Sequence, residues 1–171
     1  MDYFNISIGV SERNICARLA LQMENIMRER EEYNGYYADV EYNRKNDGGE
    51  KCYKGNTKPI SMVSDLIIHK RNYENNLLAV EMKRWNNYDK RKDDKARLAA
   101  VVSSPKQVDR DEKCVYETKL GVFIKYSPQI VEMDFYAGIN GDGQWIGKKK
   151  LEYRTNGYGF YSLEIISEEW R

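Results

Sequence analysis

Apolar residues recur at Ile15, Leu19, Met23, Ile26 and Met27, a helical spacing that predicts one buried stripe. Ser11 stands ahead of it as an N-cap, and Glu12 falls in the first turn, where the helix dipole favours an anion. The helix is expected to end in the charged run 28–32, before Gly35. Residues 36–43 alternate, with Ala38, Val40 and Tyr42 on one side and Asp39, Glu41 and Asn43 on the other, which predicts a strand. Residues 44–59 are polar and glycine-containing and predict a long loop. Two short apolar runs, 60–69 and 77–83, flank the polar connection RNYENN and predict an antiparallel hairpin. Residues 89–102 return to helical spacing, with Asp94, Leu98, Val101 and Val102 close to one face and Pro105 beyond the end. Strands are predicted at 120–126 and 131–139, joined around Ser127-Pro128, then a turn at NGDGQ from Asn140 and a last strand at 158–166. Helix, strands, helix and strands in that order predict an α/β domain with a central mixed sheet. No repeat or linker divides residues 1–171, so a single domain is expected.

Composition narrows this picture without giving it a function. The chain has 28 basic and 27 acidic residues, so its net charge of +1 argues neither for nor against a nucleic-acid partner. Only local charge can speak to that. Cys16, Cys52 and Cys114 show no zinc-ligand or redox-motif spacing, and an odd, unpaired set suits free thiols in a reducing compartment. The N-terminal residues carry no signal-peptide pattern, and no stretch has the length of a membrane span. A cytoplasmic protein without a membrane partner is expected.

The charges that break the apolar runs carry the chemistry. Asp65 lies between Val63 and Ile67 on its predicted face. Glu81 and Lys83 share a face with Leu77 and Ala79, because side chains two apart on a strand point the same way. Burying carboxylates costs several kcal/mol unless something compensates them, and a divalent cation does so well. Two hard carboxylates from neighbouring strands suit Mg²⁺ or Mn²⁺ beside a phosphate, with the backbone carbonyl of Met82 as a further ligand. The ion would polarise the phosphoryl oxygen and activate a water for attack, and Lys83 would orient that water or stabilise developing charge. Glu12 lies three residues before Ile15 and projects from the buried stripe, an odd place for an acid.

These residues, in this order, resemble the PD-(D/E)XK, or restriction-endonuclease-like, nuclease superfamily. The matching pieces are SERNICARLA, ADVEYNR, SDLIIHKR, NNLLAVEMK and the Asp94-x-x-Arg97-Leu98 of the second helix. They supply an acid on one strand, Asp65, and the Glu81-Met82-Lys83 triplet on the next, with Glu12 on the preceding helix. They resemble most an uncharacterised bacterial group within that superfamily. Ser64 departs from the pattern, which has proline there, but that proline is not a ligand. The resemblance implies a mixed sheet flanked by helices and Mg²⁺-dependent hydrolysis of nucleic acid, with DNA the expected substrate. Glu12, Asp65, Glu81 and Lys83 are then the catalytic candidates, and Asp65, Glu81 and Met82 the metal ligands. Cutting two strands would favour a homodimer. The alternative is a nuclease fold that binds nucleic acid or a protein partner without catalysis.

Each candidate has a plainer reading. Asp65 can cap a strand end, Glu81 and Lys83 can be a solvated pair, and Glu12 can simply serve the helix dipole. Asp39 and Glu41 are expected on a solvated strand face, and His69, the single histidine, at a polar strand end. Residues 83–97 hold seven basic and three acidic residues with Trp85 and Tyr88 among them, which suits phosphate binding or a solvated helix face. Lys148, Lys149 and Lys150 form another basic patch, or only a turn.

Overall fold

A computed structural model describes residues 3–41, 52–54, 59–61, 63–71, 73, 76–87, 91–103, 118–155 and 161–171. The chain runs α1 (Tyr3–Ser7), α2 (Glu12–Arg28), β1 (Tyr36–Val40), β2 (Cys52–Lys54), β3 (Pro59–Ser61), β4 (Leu66–Lys70) and β5 (Asn76–Arg84). It continues through α3 (Arg91–Val101), β6 (Thr118–Tyr126), β7 (Ile130–Ile139), β8 (Asp142–Thr155) and β9 (Tyr161–Trp170). Seven strands form one sheet in the order β1-β4-β5-β6-β7-β8-β9. Neighbours are antiparallel except β5 and β6, which are parallel. A parallel pair needs a long crossover, and α3 lies within it. The architecture is therefore α/β with a mixed sheet, as the element order predicts.

The two main helices pack on opposite faces, and β5 shows why. Its residues Leu78, Val80 and Met82 join the cluster that contains Ile15, Cys16, Ala20 and Met27 of α2. Ala79, between them, joins Leu98 and Val101 of α3 with Val102, Phe123 and Tyr136. Alternation along one strand thus feeds two cores. On the α2 side, an apolar cavity of about 300 Å³ extends past the helix, with Leu19, Met23, Val131 and Leu163 in its wall. On the other side α3 approaches β8 so closely that a Cβ on Gly143 would lie 1.7 Å from the Ala99 carbonyl oxygen. The Gly143 N–H donates to Ser103 Oγ at 2.9 Å and secures the contact.

The cap on α2 is as predicted: Ser11 Oγ accepts the Asn14 N–H at 3.3 Å. Its buried face is centred nearer Cys16, Ala20 and Met27 than the apolar spacing suggests, so Ile26 is 54% exposed on the flank. The run 60–69 is not one strand. Pro59–Ser61 pairs with Cys52–Lys54 in a separate two-stranded sheet, and residues 63–65 lie outside any strand. The expected loop 44–59 accordingly contains β2, and most of it lies outside the described residues. Leu77 does not share the face of Ala79. A register shift in the β4–β5 ladder, between Ile68 and His69, turns Leu77 to pack against the α2-side cluster.

Lys148–Lys150, read as a basic patch or only a turn, lie within the 14-residue strand β8. That strand lacks an apolar alternation because its lysines are held by acids on the adjacent strands. Lys148 and Lys150 pair with Glu132 of β7, and Lys149 pairs with Glu168 of β9. The last strand begins at Tyr161 and runs to Trp170, four residues beyond the predicted end. Tyr42, Asn43, Tyr88, Lys90 and Pro105 lie outside the described residues. Among the described residues no helix is long and apolar enough to cross a membrane.

Candidate active site

Asp65 occupies the bend before β4 and not the middle of a strand, and Val63 is exposed. Its carbonyl accepts the Glu41 N–H at 3.2 Å, and its Oδ2 accepts the Met82 N–H at 2.7 Å. The carboxylate thus takes the backbone donor that a continuing strand would have taken, which is why the ladder stops here. The Leu66–Val80 pairing carries Asp65 opposite Glu81 when extended by one residue. The two acids are therefore neighbours across the end of the ladder, near enough for Asp65 to raise the pKa of Glu81.

Glu81 is only 2% exposed. Its Oε2 lies 3.5 Å from the Arg97 guanidinium, and its Oε1 has no hydrogen-bond partner among the described residues. Burial, and then the nearby Asp65, push its pKa up to about 8, against the pull of Arg97. Burial also raises Asp65, although the Met82 N–H opposes it. Lys83 sits on the same side of β5, 3.6 Å from Glu12 and 3.7 Å from Asp94. Burial works against its charge, but Glu12, Asp65, Asp94 and Glu81 outweigh that and raise its pKa.

Glu12 reaches the site from the first turn of α2. Its Oε1 accepts the Arg84 N–H at 2.9 Å while Oε2 faces Lys83. It is more than a dipole acid, since it fixes both the end of β5 and the lysine. Met82 lies between the charged residues with its side chain in the opposite core, where Cys16 Sγ donates to its sulfur at 3.2 Å. Its N–H points towards Asp65, and in a strand the carbonyl of the same residue points to the same side.

Two members of the cluster carried no assigned role in the sequence. Asp94, 1% exposed, projects from α3 onto Lys83 and also bonds to Arg97. Arg97 bridges Asp94 and Glu81. The signal was present: an acid on the apolar face of α3, beside Leu98 and Val101, is the same anomaly that singled out Glu12. The cluster holds four carboxylates (Glu12, Asp65, Glu81, Asp94) against two cations (Lys83, Arg97), so its negative charge is incompletely matched. Among the described residues no group of three His, Cys, Asp or Glu side chains forms a ready-made cation cage. Any bound cation would rely on Asp65 and Glu81 with a backbone oxygen.

The remaining candidates fall away from this centre. His69 is buried, and its Nε2 lies 2.8 Å from Asp39 Oδ2, so both are engaged in a pair. Glu41 pairs with Arg13 at 2.9 Å. Much of the basic run 83–97 is spent internally. The Arg84 guanidinium donates to the Ile6 carbonyl, and Arg91 donates to the carbonyls of Asn87, Arg84 and Trp85. Lys95 is bound to Asp134 at 2.6 Å. That run is less a free phosphate-binding face than its composition suggests. Comparison with protein-family models, with curated proteins and with solved structures found no match to the chain.

Proposed function

We propose that the protein is a metal-dependent nuclease that hydrolyses phosphodiesters, in DNA before other substrates. The observation that carries this reading is the neighbouring pair Asp65 and Glu81, with a buried Glu81 oxygen that has no hydrogen-bond partner among the described residues, beside Lys83. A buried carboxylate with an open oxygen, in a cluster short of positive charge, suits a hard divalent cation. Asp65, Glu81 and the Met82 carbonyl would hold Mg²⁺ or Mn²⁺. When bound, the ion would neutralise the carboxylates and supply Lewis-acid polarisation of the phosphoryl oxygen. The order of Asp65, at the bend leading into β4, then Glu81 and Lys83 on its partner strand β5, with helices on both faces of the sheet, supports the finer reading of a restriction-endonuclease-like domain.

The protein's own groups divide the remaining work. Lys83 keeps its proton, because its pKa is raised, so it donates hydrogen bonds and positive charge and does not act as a base. It orients the attacking water and stabilises charge gathering on phosphorus. Glu12 and Asp94 aim the ammonium, and Glu12 also ties down the backbone at Arg84. Arg97 is the present counter-charge of Glu81, and it would share or give up that carboxylate if a divalent cation were bound. A homodimer would present two such sites to two strands.

The test is cleavage of plasmid and of labelled oligonucleotides with Mg²⁺ or Mn²⁺. Glu81→Ala and Lys83→Ala should each lose about 10²–10³ in rate, the scale for removing one charge-stabilising group. A wild type as inert as both variants on single-stranded, double-stranded and branched substrates would defeat the proposal. A second reading, a non-catalytic binding module, draws on one observation: Arg97 and Lys83 already compensate part of the buried charge. Calorimetry separates the two. Mn²⁺ binding abolished by Asp65→Ala supports the nuclease, and its absence in the wild type supports the module.

A further inference from the structure

Beyond Lys83 the strand register sets a row of charged side chains across the sheet. Lys83 aligns with Lys125 on β6, Lys125 with Glu132 on β7, and Glu132 with Lys150 on β8. The adjoining row runs from Glu81 through Phe123 and Asp134 to Lys148. Glu132 is 8% exposed and draws three ammonium groups together: Lys125 at 2.7 Å, Lys148 at 3.3 Å and Lys150 at 3.7 Å. Three cations on one carboxylate leave a positive surplus. Elsewhere on the surface an acid holds one cation, as Glu24 holds Arg28 and Glu168 holds Lys149, and Arg154 shows the opposite excess, with both Glu152 and Glu164 on it. A ladder built only for strand pairing needs no such excess, since like charges repel and each exposed pair contributes little. Lys125 also lies 3.8 Å from the centre of the Trp85 ring, two residues beyond Lys83 on the chain. Lysines in register beside an aromatic ring, running away from a phosphodiester site, match what a nucleic-acid backbone recognises.

We propose that Lys125, Lys148 and Lys150, gathered by Glu132, form a phosphate track that guides a nucleic-acid strand to or from the Asp65–Glu81 site, with Trp85 as its aromatic wall. The proposal rests on the nuclease reading for its ligand, but its test needs no cleavage. Binding of a fluorescent single-stranded oligonucleotide is followed by anisotropy without divalent cations, over a range of salt. Lys148→Glu/Lys150→Glu should weaken binding at least tenfold and flatten the logarithmic salt slope by about 1.4, the loss of two phosphate contacts on a single strand. Lys148→Gln/Lys150→Gln serves if charge reversal unfolds the sheet, and should act in the same direction. Lys149→Glu, on the opposite face of β8, should leave affinity unchanged. Equal affinity and salt slope in the double variant and wild type would overturn the track while leaving the nuclease reading intact. So would a wild type that binds no oligonucleotide. A wild type that binds through these lysines yet cuts nothing would uphold the track and defeat the nuclease.

Discussion

The two faces of β5 solve different problems with alternate residues of one strand. Leu78, Val80 and Met82 enter a predominantly apolar layer beneath α2, which is lined by apolar side chains where it opens into a cavity. Ala79, Glu81 and Lys83 point to the α3 side, where the apolar layer gives way to Asp94, Arg97 and the end of Glu12. The first face stabilises by removing hydrocarbon from water. The second buries charge, which costs stability even when paired. A strand that only needed to fold would carry the first pattern on both sides. The contrast assigns stability to one face and, on the proposed reading, chemistry to the other, and it can be attacked from either.

The largest effect is expected on the apolar face. Leu66→Ala should cost about 2–5 kcal/mol in urea unfolding, since Leu66 is fully buried in the α2-side cluster. Gly143→Ala should cost roughly 1–3 kcal/mol or more by driving α3 off β8, because the new Cβ meets a backbone carbonyl that cannot rotate away. Unaltered stability would refute the close approach.

On the charged face the sign reverses. The pKa of Glu81 is raised in the folded state, so folding retains its proton where the unfolded chain has lost it. That contribution is whole below the ordinary glutamate value of 4.5 and is lost as pH rises through about 8. Glu81→Gln should therefore stabilise the protein at pH 9 by roughly 1–3 kcal/mol and flatten the decline of stability between those limits. Thermal melts across pH check both. On the proposed reading, Mn²⁺ affinity in the wild type should climb over the same range, because Glu81 would have to shed its proton to bind the ion. The smallest effect belongs to the cap: Ser11→Ala should cost about 1 kcal/mol. A clearly larger loss, accompanied by loss of activity, would mean that the start of α2 also positions Glu12.

The same contrast explains what could be read from the chain. Strong periodicity revealed α2, the β4–β5 hairpin and the buried face of α3, because apolar residues on those elements answer to one core each. The grouping of Asp65, Glu81 and Lys83 followed from charges misplaced in apolar runs, and the bend before β4 brings Asp65 beside the two residues on β5. Strand β8 was illegible because acids on β7 and β9 hold its lysines, and a local window cannot see partners so far along the chain. Helix α1, five residues long, is too short for periodicity to register. Asp94 and Arg97 were seen as helix residues, but their reach to Lys83 and Glu81 depends on how α3 lands on the sheet. The register shift that removed Leu77 from its predicted face left no mark in a strand that reads as continuous.

That shift has a bearing on how the chain tolerates change in length. It lies between the β4–β5 connection and the Asp65–Glu81 pair. Residues added or lost near 71–75 meet an irregular ladder, which can take up a slip before it travels further. The stretch from Leu78 to Glu81 has no such buffer. One residue inserted there would exchange inward and outward side chains and send Glu81 into hydrocarbon. Insertion scanning of β5 should therefore find a tolerant margin beside the connection and an abrupt boundary at Leu78, with the hairpin acting as a spacer whose length is free at one end and fixed at the other.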